Sequence, residues 1–391
     1  MKTLFFTYDF PYPTTSGGKT RAYNLLKHAG ENVDITLFSF TRQDFTDTYK
    51  KGLHDINIKK MYLFPRKNVG DFQSLASIFS FRKSIFHLLY YSSEVKEKLM
   101  QVIRDEKIDI VHFESFYTAY YLSDIRNLPV KTIFGTENIE HKVYEDYVKY
   151  GSAAYLKPFY FLESRKIKRM EEEFYRLSDI CLAVTEEESF YIRSHGAKKC
   201  AVIENGVDLS LFPFVERKEK KEKNILFIGN FSYFPNVSAV KFFYHKVFAD
   251  LQLDNVTFTI IGKGVEKLSL RDTRIKTIPY TPSIQEAYKT ADVFVSPVRI
   301  GGGTNFKVLE AMASGVPIVA FPDRVEGLGI EHEKHAFLAK NAKEYQEYLR
   351  LLLLDHTKGT DMAKHARTLV EERYSWKEIG NKMNAVWRDL V

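Results

Sequence analysis

The run Ser296-Pro297-Val298-Arg299-Ile300-Gly301-Gly302-Gly303-Thr304-Asn305-Phe306-Lys307-Val308-Leu309-Glu310 combines the residue types that anion chemistry needs. A strand-like stretch, Val293–Pro297, runs into three glycines, and a helix is expected to open near Thr304 or Asn305, both good N-caps. Glycines let the main chain approach a ligand closely, and a helix start offers unpaired N–H groups and the positive end of a dipole. Lys307 would stand in the first turn, where the dipole disfavours a cation, so its placement asks for an anion. Glu310, three residues on, shares that helix face and suits sugar hydroxyls better than phosphate. The plainer alternative is a solvated Lys–Glu surface pair beside a flexible loop. No Gly-Lys-Ser/Thr follows the glycines, which excludes a Walker A loop.

Two more glycine loops follow apolar runs. Thr14-Thr15-Ser16-Gly17-Gly18-Lys19 lies between the first strand and its helix, with a plain tight turn as the alternative. Gly262-Lys263-Gly264 follows Val256–Ile261, but Lys267 stands where a dinucleotide fingerprint would have its third glycine, so nicotinamide binding is not favoured.

The elements that must position these loops alternate between short apolar runs and longer helical stretches, the pattern of parallel sheets with crossover helices. Strands are expected at Thr3–Tyr8, Val33–Phe40, Lys59–Phe64, Ile108–Phe113, Val130–Phe134, Ile180–Val184 and Ala201–Ile203, with helices at Arg21–Ala29, Ser93–Asp105, Phe159–Tyr175 and Glu186–His195. The charged run Glu216–Lys223 reads as an exposed inter-domain linker. Alternation resumes with strands at Asn224–Ile228, Val256–Ile261, Ile275–Pro279, Val293–Pro297 and Ile318–Ala320, a helix at Val237–Phe248, and a helical tail from Lys343. The expected fold is α/β, with two doubly wound Rossmann-like domains at 1–213 and 214–373. Ligands of such sheets bind beyond the carboxyl ends of the strands.

Composition agrees with a globular chain. Of 391 residues, 45% are hydrophobic and 27% charged, which excludes wholesale disorder, and the length favours two or three domains. The net charge of +7 suits anionic partners without selecting one. Two cysteines, Cys181 and Cys200, cannot make a disulfide framework. The first residues do not read as a secretory leader and no apolar run reaches the ~18 residues of a membrane span, so a cytoplasmic protein is expected. There is neither zinc-finger spacing nor a basic–aromatic stripe, and nucleic acid is not expected as a partner. Lys166, Lys168 and Arg169 against Glu171, Glu172 and Glu173 read as a solvated helix face.

Several segments resemble family 4 of the glycosyltransferases. Phe227-Ile228-Gly229-Asn230-Phe231-Ser232-Tyr233-Phe234-Pro235-Asn236 resembles the opening of that family's donor domain, and Ser296–Ala320 its donor-site signature. Asn205-Gly206-Val207-Asp208, Glu326-Gly327-Leu328 and Tyr374-Ser375-Trp376 are similar to further landmarks. The resemblance implies the GT-B fold, two Rossmann-like domains facing across a cleft, with the last helix, about 374–391, crossing back to the N-terminal domain. It implies transfer of a sugar from a UDP- or GDP-sugar to an acceptor hydroxyl with retention of configuration, in surface polysaccharide or glycolipid synthesis.

By the same resemblance Glu310 would bind the donor ribose. Gly303, Thr304, Asn305 and the neighbouring amides would meet the diphosphate, with Gly17 and Gly18 approaching it from the N-terminal domain. Arg299 and Lys307 would offset the leaving charge, and Gly229, Asn230 and Lys263 would complete the donor site. Three positions depart from the family pattern. Gly302 stands where a carboxylate touches the donor sugar, the first donor-domain loop lacks its Arg and Lys, and Glu114, a catalytic candidate, stands where some members carry a histidine, with His112 two residues earlier. His141 and Glu137, in Glu137-Asn138-Ile139-Glu140-His141, are candidates to orient the acceptor; helix capping by Asn138 is the alternative. No Asp-x-Asp occurs, so a metal-independent hexosyltransferase without a cofactor is expected. The acceptor would be a glycan or a lipid-linked acceptor. The Phe- and Leu-rich segment 72–91, with Arg82 and Lys83, suits peripheral contact with the inner membrane face or, alternatively, packing on the sheet. A nucleotide-sugar epimerase and a non-enzymatic two-domain ligand-binding protein are the competing readings.

Overall fold

A computed structural model describes residues 1–42, 45–67, 83–150, 154–299 and 305–391, apart from the side chains of Tyr150, Arg324 and Glu326. The chain divides into two compact units, Met1–Asn205 with Trp376–Val391, and Gly206–Ser375.

Unit 1 is built on a seven-stranded parallel sheet: β1 (Lys2–Thr7), β2 (Asp34–Thr41), β3 (Ile58–Pro65), β4 (Ile110–Glu114), β5 (Lys131–Gly135), β6 (Ile180–Ala183) and β7 (Cys200–Val202), in the order β3-β2-β1-β4-β5-β6-β7. β1 and β4 are buried along nearly their whole length, as expected of strands covered on both faces. The principal crossover helices are α1 (Gly17–Lys27), α2 (Ser93–Glu106), α3 (Glu140–Tyr150), α4 (Lys157–Leu177) and α5 (Glu186–Ser194). α1 opens four residues before the expected Arg21, so Gly17 and Gly18 form its first turn. The last helix, Trp376–Leu390, packs into this unit. Asn384 accepts from the Gly30 amide and donates to the His28 carbonyl, Lys382 pairs with Glu204, and the fully buried Trp387 sets its edge on Phe5.

Unit 2 carries a six-stranded parallel sheet: β8 (Lys223–Ile228), β9 (Val256–Ile261), β10 (Ile275–Ile278), β11 (Val293–Ser296), β12 (Ile318–Ala320) and β13 (Phe337–Leu338), ordered β10-β9-β8-β11-β12-β13. Its main helices are α6 (Phe234–Phe243), α7 (Ile284–Thr290), α8 (Phe306–Ala313), α9 (Ala342–Leu354) and α10 (His356–Arg373). α6 begins before the expected Val237 because Pro235 presets the backbone of its first turn, and it continues as a π-turn over Tyr244–Phe248. In both sheets the strand order reverses between two neighbours, β1 and β4 in one, β8 and β11 in the other. Loops at such reversals diverge and leave a crevice.

The charged run Glu216–Lys223 is not a free tether. Arg217 is half-buried and donates to the carbonyls of Lys289, Ser314 and Gly315, at the carboxyl ends of α7 and α8. Cations are favoured there. Lys220 adds a bond to Thr290 O and an ion pair with Asp292, and Lys223 already belongs to β8. The solvated face expected on α4 is also corrected. Lys166 and Glu171 are buried, the first paired with Glu163 at 2.7 Å and the second occupied at the start of α3.

Candidate functional site

In unit 2 the chemistry gathers beyond β8, β9 and β11. Gly262 leaves β9 with φ +144°, and a Cβ there would run into the carbonyl of Gly229 on the neighbouring strand. Only glycine lets these two main chains lie so close. The Gly229 amide donates to Ile261 O and the Phe231 amide to Lys263 O, which fixes the two loops side by side. Asn236, in the first turn of α6, donates to Asn230 O at 2.9 Å and turns its Oδ1 toward α8.

That oxygen accepts from Lys307 Nζ at 2.9 Å, and the same ammonium stands 4.9 Å from the Phe227 ring centre. Glu310 Oε2 accepts at 2.8 Å from Tyr288, whose hydroxyl also lies 3.1 Å from Lys307 O. The solvated Lys–Glu pair is therefore not what forms. Both side chains are half-buried, and each takes a neutral partner. Burial drives Lys307 down to about 8 and Glu310 up to about 7, with the Tyr288 bond and the Lys307 charge opposing the latter shift. The two charges favour each other without forming an ion pair, and each is hydrogen-bonded to a neutral partner, so an anion near Lys307 and a hydroxyl near Glu310 would both be stabilised.

Asn305 occupies the N-cap position of α8, but its side chain makes no capping bond and donates instead to Ser296 Oγ at 2.9 Å. This ties the helix start to the end of β11. Gly302, Gly303 and Thr304 lie outside the described residues. Arg299 is exposed, its guanidinium 3.9 Å from the centre of the Phe321 ring and bonded to Lys340 O. Lys263 and Asn230 are exposed on their loops, and Gly229 is half-buried against Asn236. Tyr288 and Asn236 escaped the sequence reading as functional side chains. Nothing local marks a tyrosine 22 positions before its partner, whereas Asn236 ends the quoted Phe-Pro-Asn motif.

Unit 1 presents a different arrangement at its own strand reversal. Arg21 of α1 is fully buried and meets Glu114 at 2.6 Å, while its Nη1 donates to Ile203 O, Glu204 O and Asn205 Oδ1. His112 Nε2 lies 2.7 Å from Glu114 Oε2. Burial alone would raise Glu114, but the Arg21 and His112 charges overcome it and hold the carboxyl down at about 2. Gly17 is exposed at the start of α1. Gly18 beside it packs against Tyr8 and Glu137, which a Cβ would strike. Burial and the nearby Glu114 charge push Glu137 up to about 8, against the pull of Arg21.

His141 is buried, with Nδ1 2.5 Å from Glu171 and Nε2 3.2 Å from the Tyr191 hydroxyl. Both ring nitrogens are thus engaged within the fold. The cap expected of Asn138 comes instead from Glu171 of α4, which accepts from the Glu140 and His141 amides; Asn138 donates to the Glu140 carboxylate. In the segment 72–91 the described part forms a helix, Ile85–Tyr90, that buries Leu89 and Tyr90; residues 68–82 lie outside the described residues.

Two family models cover this chain. One for glycosyl transferases group 1 matches residues 222–355, and one for Glycosyltransferase Family 4 matches residues 15–211, half of the chain. The chain belongs to glycosyltransferase family 4. Among its relatives, an uncharacterised 44.6 kDa protein in the cps region of Klebsiella pneumoniae is 22% identical over 97% of both chains. The α-monoglucosyldiacylglycerol synthase of Streptococcus pneumoniae is 25% identical over 57% of this chain and 54% of its own. The crystal structure of Anabaena Alr3699/HepE in complex with UDP superposes with a TM-score of 0.70 at 15% identity, over 100% of each chain. The fold of this family 4 glycosyltransferase is accordingly GT-B, with two parallel-sheet Rossmann-like units. The Family 4 match covers most of unit 1 and the first residues of unit 2, and the group 1 match lies within unit 2.

Proposed function

We propose that this glycosyltransferase moves a hexose from a UDP- or GDP-sugar to a hydroxyl of a surface glycan or lipid-linked glycan, with retention of configuration and without a divalent metal. The observation that carries the reading is the Glu310 carboxylate. Tyr288 holds one oxygen, and Oε1 takes no hydrogen bond among the described residues, on the face of α8 that also carries Lys307. A ribose hydroxyl fits the first group and a diphosphate the second. Lys307 would bear the charge that develops on the departing nucleotide diphosphate, with Arg299 on the Phe321 face as a second cation. Preorganised charge of this kind is a large part of catalysis where a leaving group gains negative charge. Family 4 membership supports retention, and the Anabaena neighbour crystallised with UDP supports a nucleotide donor. The cps-region relative and the diacylglycerol-type relative support, respectively, a polysaccharide and a lipid-linked acceptor.

Titration calorimetry with UDP and GDP tests the donor site. Glu310→Ala is expected to weaken the preferred nucleotide by about 10- to 100-fold, the range for losing a charged hydrogen bond, with the thermal midpoint unchanged. Equal affinity in the variant would refute the ribose assignment. Turnover of the identified donor should persist in excess EDTA and give a product with the donor's anomeric configuration; loss restored by manganese, or an inverted linkage, would overturn those parts of the reading.

A further inference from the structure

The sequence from Tyr147 to Leu162 contains no Asp or Glu, two lysines and six aromatic residues. Its described part spans the end of α3 and the start of α4, which pack against each other as a helical hairpin. Apolar side chains at a hairpin end are ordinarily folded inward, but three of the largest here point out. Tyr155 is 82% exposed, Phe161 46% and Leu162 47%. Cations frame them. Lys157 is half-buried on the first turn of α4, and Arg165 is exposed with its guanidinium 4.9 Å from the Phe161 ring centre. Of the carboxylates that bound this stretch, Glu163, next to Leu162, is turned inward to Lys166 and the Ile85 amide, whereas Glu145 and Asp146 lie at its other end on α3, the first exposed and the second half-buried. The exposed surface at the start of α4 therefore combines aromatic, aliphatic and cationic groups, with the acid beside Leu162 neutralised in the interior.

We infer that the start of α4, with Tyr155, Phe161 and Leu162 as the inserting groups and Lys157 and Arg165 as headgroup contacts, docks on an anionic lipid bilayer. Aromatic side chains with a polar tip prefer the boundary between headgroups and acyl chains, and long cationic side chains reach back to phosphates. Each cation near an anionic surface adds to attraction that salt screens. A ladder of ring contacts leads inward from this surface. Phe159 meets Tyr160 at 5.7 Å, Tyr160 meets Tyr144 at 6.0 Å, Tyr144 meets Phe86 at 5.8 Å, Phe86 meets Tyr117 at 4.9 Å, and Tyr117 meets Tyr8, just beyond β1, at 5.2 Å. A chain of aromatic contacts thus runs from the first turn of α4 to Tyr8 at the strand reversal of unit 1. In linking that face to catalysis the inference rests on the lipid-linked acceptor proposed above; as a surface property it stands separately.

Cosedimentation of the full chain with phosphatidylcholine vesicles, with and without phosphatidylglycerol, is the test. The wild type should bind the anionic vesicles, and binding should weaken with salt. The triple variant Tyr155→Ser, Phe161→Ser, Leu162→Ser should lose about tenfold or more of that binding, with its thermal midpoint and nucleotide affinity unchanged. Tyr155→Trp should shift its emission to the blue on anionic vesicles. Undiminished binding by the triple variant, no shift of the tryptophan, or a self-associated wild type that the triple variant turns into monomer would each overturn the inference; the last would make the face a contact between copies. Vesicle binding without any nucleotide binding would remove the donor reading and leave the docking face. Nucleotide binding without vesicle binding would do the reverse.

Discussion

The two strand reversals use charge in opposite ways. Beyond β1 and β4, Arg21 and Glu114 are sealed from water and pair with each other; Nη1 of the guanidinium donates to three further acceptors, while Nη2 takes no hydrogen-bond partner among the described residues. Beyond β8 and β11, Lys307 and Glu310 are half-buried and lean on an asparagine and a tyrosine. A buried ion pair holds elements together, because removing one member strands the other in a low-dielectric interior. A charge given only neutral partners keeps its field for whatever arrives. The difference separates an anchor from the proposed binding site although both stand at the same topological position.

Breaking the anchor should have the larger effect. Arg21→Met leaves Glu114 buried without its cation and frees the segment Ile203–Asn205; a loss of about 3–5 kcal/mol in denaturant unfolding is expected. A change under about 1 kcal/mol would mean the pair is not an anchor. Because Glu114 is held near 2, below the ordinary carboxylate value of about 4.3, its contribution is complete above that ordinary value and is lost as pH falls toward 2. That acid limb should shrink in the variant.

The binding side should respond in affinity rather than stability. Glu310 must be ionised to accept a ribose hydroxyl and Lys307 protonated to attract a diphosphate, so nucleotide affinity should be greatest between about 7 and about 8. It should fall by up to about tenfold per pH unit on either side. Glu310→Gln should flatten the acid limb and Lys307→Met the alkaline limb. A profile identical in all three proteins would dissolve the contrast between the two reversals.

Much of this was legible in the residues. Apolar runs broken by Gly-rich and helical stretches gave twelve of the thirteen strands among the described residues; the missed β13 is two residues long, too short to show a period. Lys307 and Glu310 stood out because a cation in a first helical turn is unusual and their spacing puts them on one face. Partners were not legible. Lys307 takes Asn236, 71 positions away, and Arg21 takes Glu114, 93 positions away, and no local pattern encodes such pairings. Burial misled for the same reason. The alternating charges of α4 look solvated until Glu163 and Glu171 are found turned inward to cap the helix starting at Ile85 and α3.

The order of amino acids by itself determined the periodicities, the glycine positions and the charge types, hence two wound sheets and the loops in which ligand chemistry would sit. Only the tertiary structure decided which charges are spent on one another and which are left without an ion-pair partner, and that Tyr155, Phe161 and Leu162 face outward while Phe159 and Tyr160 turn inward. The reason is physical: periodicity is a property of neighbours along the chain, whereas desolvation and hydrogen-bond partners are set by atoms that meet through the fold.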